Sequence, residues 1–134
     1  MSITRSESPD NLDSSSIDNE HRVQVGLLDA LYETVREKQP ASKITEILNQ
    51  LTAYSELHFM SEELLMRMYA YPDYDDHVQD HESMTQYLND ITKTYSTGED
   101  NLVLGTVSEM RQFLLAHIST RDEALSEYLT RVQA

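Results

Sequence analysis

Five histidines, His21, His58, His77, His81 and His117, are the residues of this chain best able to do chemistry. His77 and His81 are four apart, so on a helix both imidazoles project from one face toward one point, as helical metal sites require. His58 and Glu62 have the same spacing and set an imidazole beside a carboxylate. One histidine on an apolar face is ordinarily a hydrogen-bonded core residue. Five gathered in one interior would be costly to desolvate and would pack no better than leucine, so the set points to metal.

Four helical segments position these side chains. The first, 17–38, carries Ile17, His21, Val25, Leu28, Leu31 and Val35 on one stripe and stops at Gln39-Pro40. The second, 42–69, aligns Ile44, Leu48, Leu51, Ser55, His58, Glu62 and Leu65, and Tyr71-Pro72-Asp73 is the next turn. The third, 74–95, aligns His77, His81, Met84, Leu88, Ile91 and Tyr95 and ends at Thr97-Gly98. The fourth, 101–132, begins with Val103, Val107, Met110, Leu114 and His117 in line. Long helices joined by short loops predict an all-α, up-down-up-down antiparallel four-helix bundle over residues 17–134. Residues 1–16 are polar, with Pro9 and no apolar period, and predict a flexible acidic arm.

Composition narrows the partners. Twenty-four Asp and Glu against ten Lys and Arg give a net charge of -14, which argues against nucleic acid and anionic membranes. No segment approaches the eighteen or so apolar residues of a membrane span, and the N-terminal text lacks the regions of a signal peptide. With no cysteine there is no thiolate ligand or thiol nucleophile. These features predict a cytoplasmic protein, compatible with a monomer or a small homo-oligomer.

Every helix contributes a histidine, and the donors exceed the four that satisfy a structural zinc. Nitrogen and oxygen donors in this number suit two six-coordinate ions, for which iron is the natural choice. The residues three before each histidine are Asp18, Ser55, Tyr74, Val78 and Leu114, so the Glu-x-x-His pattern of ferritin-like carboxylate sites is missing.

The chain resembles the hemerythrin family, in particular its single-domain bacterial members. The matching text is Ile17-Asp18-Asn19-Glu20-His21, His58-Phe59-Met60-Ser61-Glu62-Glu63, His77-Val78-Gln79-Asp80-His81 and His117-Ile118-Ser119-Thr120-Arg121-Asp122, in family order. The resemblance implies two non-haem iron ions joined by an oxo or hydroxo bridge. His77, His81 and His117 would hold one iron, and His21 and His58 the other. Glu62 and Asp122 would bridge them. The two-histidine iron would keep an open position where dioxygen binds reversibly as a hydroperoxide, for carriage, storage or sensing. Moving one proton from the bridge to the bound ligand would leave the formal charge of the buried centre unchanged, which favours reversibility. The alternative is a peroxidase, an oxidase or a nitric-oxide-handling enzyme on the same centre. A storage or structural bundle is the third reading.

Several details carry expectations of their own. His117 and Asp122 are five apart and would point roughly 140° from each other on a regular helix. The apolar stripe resumes one residue late at Asp122, Leu125, Leu129 and Val132. Either a π-bulge near 118–121 or a regular helix with a wide buried face accounts for this. Phe59, Phe113, Leu114 and Ile118 are expected to wall the pocket. Phe113 stands where the family commonly has Trp, and Gln24 where it has an aliphatic residue. Gln24 is expected at the rim, the alternative being a polar group beside the oxygen-binding iron; Glu63 is expected as a solvated charge, and Met60, Met66, Met68, Met84 and Met110 as core filler. Gly26 is expected to mark a close helix contact.

Overall fold

The computed structural model describes residues 17–133, so the predicted arm lies outside the described residues. Helix α1 spans Ile17–Arg36, α2 Ala41–Met68, α3 Tyr74–Ser96 and α4 Asp100–His117. A π-helical turn, Ile118–Asp122, joins α4 to α5, Glu123–Gln133. Helix α1 packs on α2 and α4, and α3 packs on α2 and α4, which closes the up-down-up-down ring.

The prolines are not themselves the helix stops. Helix α1 ends on Lys38 at φ 55° and α2 on Ala70 at φ 52°. Each end folds back on its last turn: the Gln39 amide donates to the Thr34 carbonyl at 3.0 Å, and the Tyr71 amide to the Met66 carbonyl at 2.8 Å. These are Schellman closures, with Pro40 and Pro72 two residues past the left-handed position. Gly98 at φ 79° serves α3, and only there does the residue type suit the conformation.

The apolar core fills one end of the bundle. Leu28, Leu31 and Val35 of α1 meet Leu48 and Leu51 of α2, Leu88 and Ile91 of α3, and Val103, Val107 and Met110 of α4. A smaller cluster of Met66, Tyr71, Leu125 and Leu129 closes the opposite end. There the Tyr128 hydroxyl donates to the Tyr69 carbonyl at 2.6 Å and pins the α2–α3 turn to α5. The histidines lie between these clusters.

Two expectations fail here, and one of two open alternatives is decided in favour of the π-bulge. Met66, Met84 and Met110 are fully buried, but Met60 and Met68 are 62% and 63% exposed, because they lie on the outer side of α2. Gly26 is exposed, and a Cβ there would meet nothing within 4 Å, so no close contact explains it. The wide regular face is replaced by the π turn. The Glu123 amide reaches back five residues to the Ile118 carbonyl. The hydroxyls of Ser119 and Thr120 donate to the Ala116 carbonyl at 3.2 and 2.7 Å, the back-bonding by which Ser and Thr bend helices.

Candidate metal centre

All seven predicted residues meet in one buried layer. His21 comes from the first half of α1, His58 and Glu62 from the second half of α2, and His77 and His81 from the start of α3. His117 ends α4 and Asp122 ends the π turn. Each of the seven is at most 6% exposed. The extra residue of the π turn rotates Asp122 inward, so that His117 Nε2 and Asp122 Oδ1 are 3.0 Å apart despite their spacing.

The donor atoms form two groups that share both carboxylates. Glu62, His77, His81, His117 and Asp122 make one, and His21, His58, Glu62 and Asp122 the other; within each, one ligand atom per residue lies within 4.8 Å of the rest. Glu62 divides its oxygens between them. Oε1 is 3.1 Å from His77 Nε2 and 2.9 Å from His81 Nε2, while Oε2 is 3.3 Å from His58 Nε2 and 3.7 Å from His21 Nε2. Asp122 does the same, with Oδ1 3.0 Å from His77 Nε2 and Oδ2 2.6 Å from His21 Nε2.

Glu62 Oε1 is hydrogen-bonded to His77 and His81, but much of the remaining proximity is not hydrogen bonding. His21 Nε2, His117 Nε2, Glu62 Oε2 and both Asp122 oxygens are buried without a hydrogen-bond partner. Buried polar atoms left so cost about 1–3 kcal/mol each, and native proteins rarely tolerate several in one place. These atoms converge on common points rather than on each other. A donor set of imidazole and carboxylate arranged this way fits cations of the iron or zinc class.

The electrostatics agree. Burial opposes charge on His21 and His77, yet the Asp122 and Glu62 carboxylates outweigh it and push both imidazoles up to about 9. Burial would raise Asp122, and so would the Glu62 carboxylate, but His117, His21 and His77 hold it down to about 2. Glu62 is likewise held below the usual range, since the imidazoles around it outweigh its burial. Without cations, protons on His21 and His77 balance the two carboxylates, and a metal would have to displace them.

Three carboxylates that the sequence reading did not assign hold the rings from behind. Glu63 Oε2 lies 2.9 Å from His81 Nδ1 and Asp80 Oδ2 lies 2.8 Å from His117 Nδ1, while Glu20 pairs with His58 Nδ1. Arg121 Nε also donates to Asp80 at 3.2 Å. Glu63 is therefore not a solvated charge: its long side chain spans α2 to α3. Each of the three directly adjoins a centre residue in the chain (Glu20-His21, Glu62-Glu63, Asp80-His81), and that adjacency was the available signal.

Gln24 is fully buried rather than at the rim. It donates from Nε2 to Ser55 Oγ at 2.9 Å, and its Oε1 has no partner. The bond bridges α1 and α2 one turn from His21 and His58, whose rings are 5.1 Å apart. Of the predicted walls, Phe59 stacks on His81 with centroids at 4.3 Å, and Leu114 is buried. Phe113 packs on Tyr87 and borders a cavity of about 390 Å³ reaching His77 and His117. Ile118 lines a separate cleft of about 360 Å³ that reaches His21 and Asp122.

The chain is similar to known proteins of a cation-binding family. The family pattern described as the hemerythrin HHE cation binding domain matches residues 13–129. A bacteriohemerythrin of Methylococcus capsulatus (strain Bath) is 27% identical over 106 residues, covering 79% of this chain and 80% of that protein. A bacteriohemerythrin of Aquifex aeolicus is 24% identical over 115 residues, covering 84% and 87%. No solved structure matches the chain. No described helix is long and apolar enough to cross a membrane.

Proposed function

The chain belongs to the hemerythrin family, and from that premise we propose that it holds two non-haem iron ions and binds dioxygen reversibly, for carriage, storage or sensing in the cytoplasm. His77, His81 and His117 would hold one ion, and His21 and His58 the other. Glu62 and Asp122 would be shared between them. The observation that carries this reading is the division of each carboxylate's oxygens between the two groups. One group offers five donor residues and the other four, which leaves the His21–His58 side with room for an external ligand.

The iron pair supplies reversible electron transfer to dioxygen. Glu20, Glu63 and Asp80 keep the Nδ1 proton of His58, His81 and His117, and so turn the Nε2 lone pairs inward. Phe59 and Leu114 keep the layer dry, which hinders proton delivery. The cleft beside His21 and Asp122 gives a small molecule a way in.

A second reading, an oxidase or peroxidase on the same centre, is favoured by one observation. Gln24 sets a buried polar group one turn from His21. Visible absorption of the iron-reconstituted protein separates the two. A colourless ferrous form should gain colour in air and bleach when oxygen is removed. Direct passage to a stable ferric spectrum with peroxide released would support the enzyme reading.

A further inference from the structure

Helix α2 is buried on one side along its second half and apolar but exposed on the other. Its inner side carries His58, Phe59, Glu62 and Met66. Its outer side carries Leu57, Met60, Leu64 and Met68, each at least 50% exposed. Spacings of three and four residues keep these four in one stripe about 16 Å long. The exposed large hydrophobics elsewhere in the described residues, Val23, Leu102, Leu115 and Val132, lie on other helices and form no such row. Concentration of this kind marks an interaction surface.

The charges beside the stripe indicate its partner. Glu56 and Arg67 lie on the same flank of α2, eleven residues apart, at its two ends. Neither makes an ion pair among the described residues; Arg67 donates only to the Tyr74 hydroxyl at 3.1 Å. When two copies of α2 pack antiparallel about a two-fold axis, each flank faces its own counterpart. With Met60 set opposite the partner's Leu64, Arg67 comes level with the partner's Glu56, and symmetry repeats the contact. The stripe is thus complementary to itself in both shape and charge.

We propose that the outer face of α2 is the contact surface of a two-fold, antiparallel homodimer. One helix face from each copy is less than a stable interface needs, and two copies of net charge -14 repel. The dimer is therefore weak and dissociates on dilution. Its axis passes near residues 61 and 62, level with His58 and Glu62, so each metal layer lies directly behind the contact.

Sedimentation velocity of the full chain, from low-micromolar to several-hundred-micromolar concentration, tests this. Reversible dimerisation is expected, and Leu64→Glu, at a side chain that contributes nothing to the core, should raise the dissociation constant about tenfold or more. Glu56→Arg and Arg67→Glu should each weaken the dimer, and the double swap should restore it. A chain monomeric throughout, or a dimer indifferent to Leu64→Glu, overturns the surface. Failure of the double swap to restore association overturns the antiparallel register. A chain that dimerises only after residues 1–16 are removed would assign the face to that segment and overturn the proposal.

Discussion

The main apolar core and the histidine layer beside it solve the burial problem in opposite ways. From Leu28 to Val35, Leu48 to Leu51, Leu88 to Ile91 and Val103 to Met110, the interior is side chains that need only each other. Two turns beyond, the same bundle turns inward five imidazoles and two carboxylates, several of whose atoms find no partner. The apolar core is complete as the chain folds. The histidine layer has geometry without satisfaction, and protons or cations must supply the difference.

The contrast breaks most visibly on loading. Adding ferrous iron without oxygen, or zinc, at about a hundredfold its dissociation constant should stabilise the fold by about 3 kcal/mol per site. Leu88→Ala should cost about 2–5 kcal/mol with or without metal. Urea denaturation of both proteins in both states checks this, and a metal gain that shrank in Leu88→Ala would show the core and the histidine layer to be coupled.

Acidity should sharpen the same difference. His21 and His77 are raised from 6.5 to about 9, so their contribution to the metal-free fold is complete below pH 6.5 and lost as pH rises through 9. Asp122 is lowered from 3.8 to about 2, so its contribution is present above pH 3.8 and lost as pH falls through 2. The metal-free protein should therefore lose stability between pH 6.5 and 9, while metal affinity rises over the same range as the competing protons leave. Denaturation and metal titrations across that range should diverge in this way.

Smaller effects follow from residues around the centre. Asp80→Asn should lower metal affinity about 10–100-fold by loosening His117. Calorimetric titration should find this with the metal-free stability changed by much less. Gln24→Leu should slow autoxidation of the ferrous protein, read as the rate of ferric absorbance growth in air; equal rates would remove Gln24 from any role at the ligand side. Gly26→Ala, at an exposed helical site, should add about 1 kcal/mol with or without metal.

Much of this was legible in the sequence. The histidines were readable because they are few and all fall on inward stripes, and the helix ends came within two residues. The outward partners were not. Neighbours on a helix point about 100° apart, so placing Glu62 inside argued Glu63 outside, and periodicity within α2 says nothing of how far a long side chain reaches toward α3. Gln24 failed for a different reason: its phase put it inside and its polarity argued it out, and the deciding partner, Ser55, lies on another helix. Met60 and Met68 were misplaced because hydrophobicity was weighed without phase. The spacing of His117 and Asp122 left two geometries open, and only the backbone could choose between them.

The wide turn at Ile118–Asp122 gives its segment an unusual relation between spelling and length. Ser119 and Thr120 are exposed, and most of what their letters specify is a pair of bonds to one carbonyl. Their number specifies far more. Keeping both and letting the helix regularise would swing everything downstream by roughly 100°. Asp122 would leave the centre, and Leu125 and Leu129 would leave Tyr71. Here a residue can be removed only together with the wide turn that absorbs it.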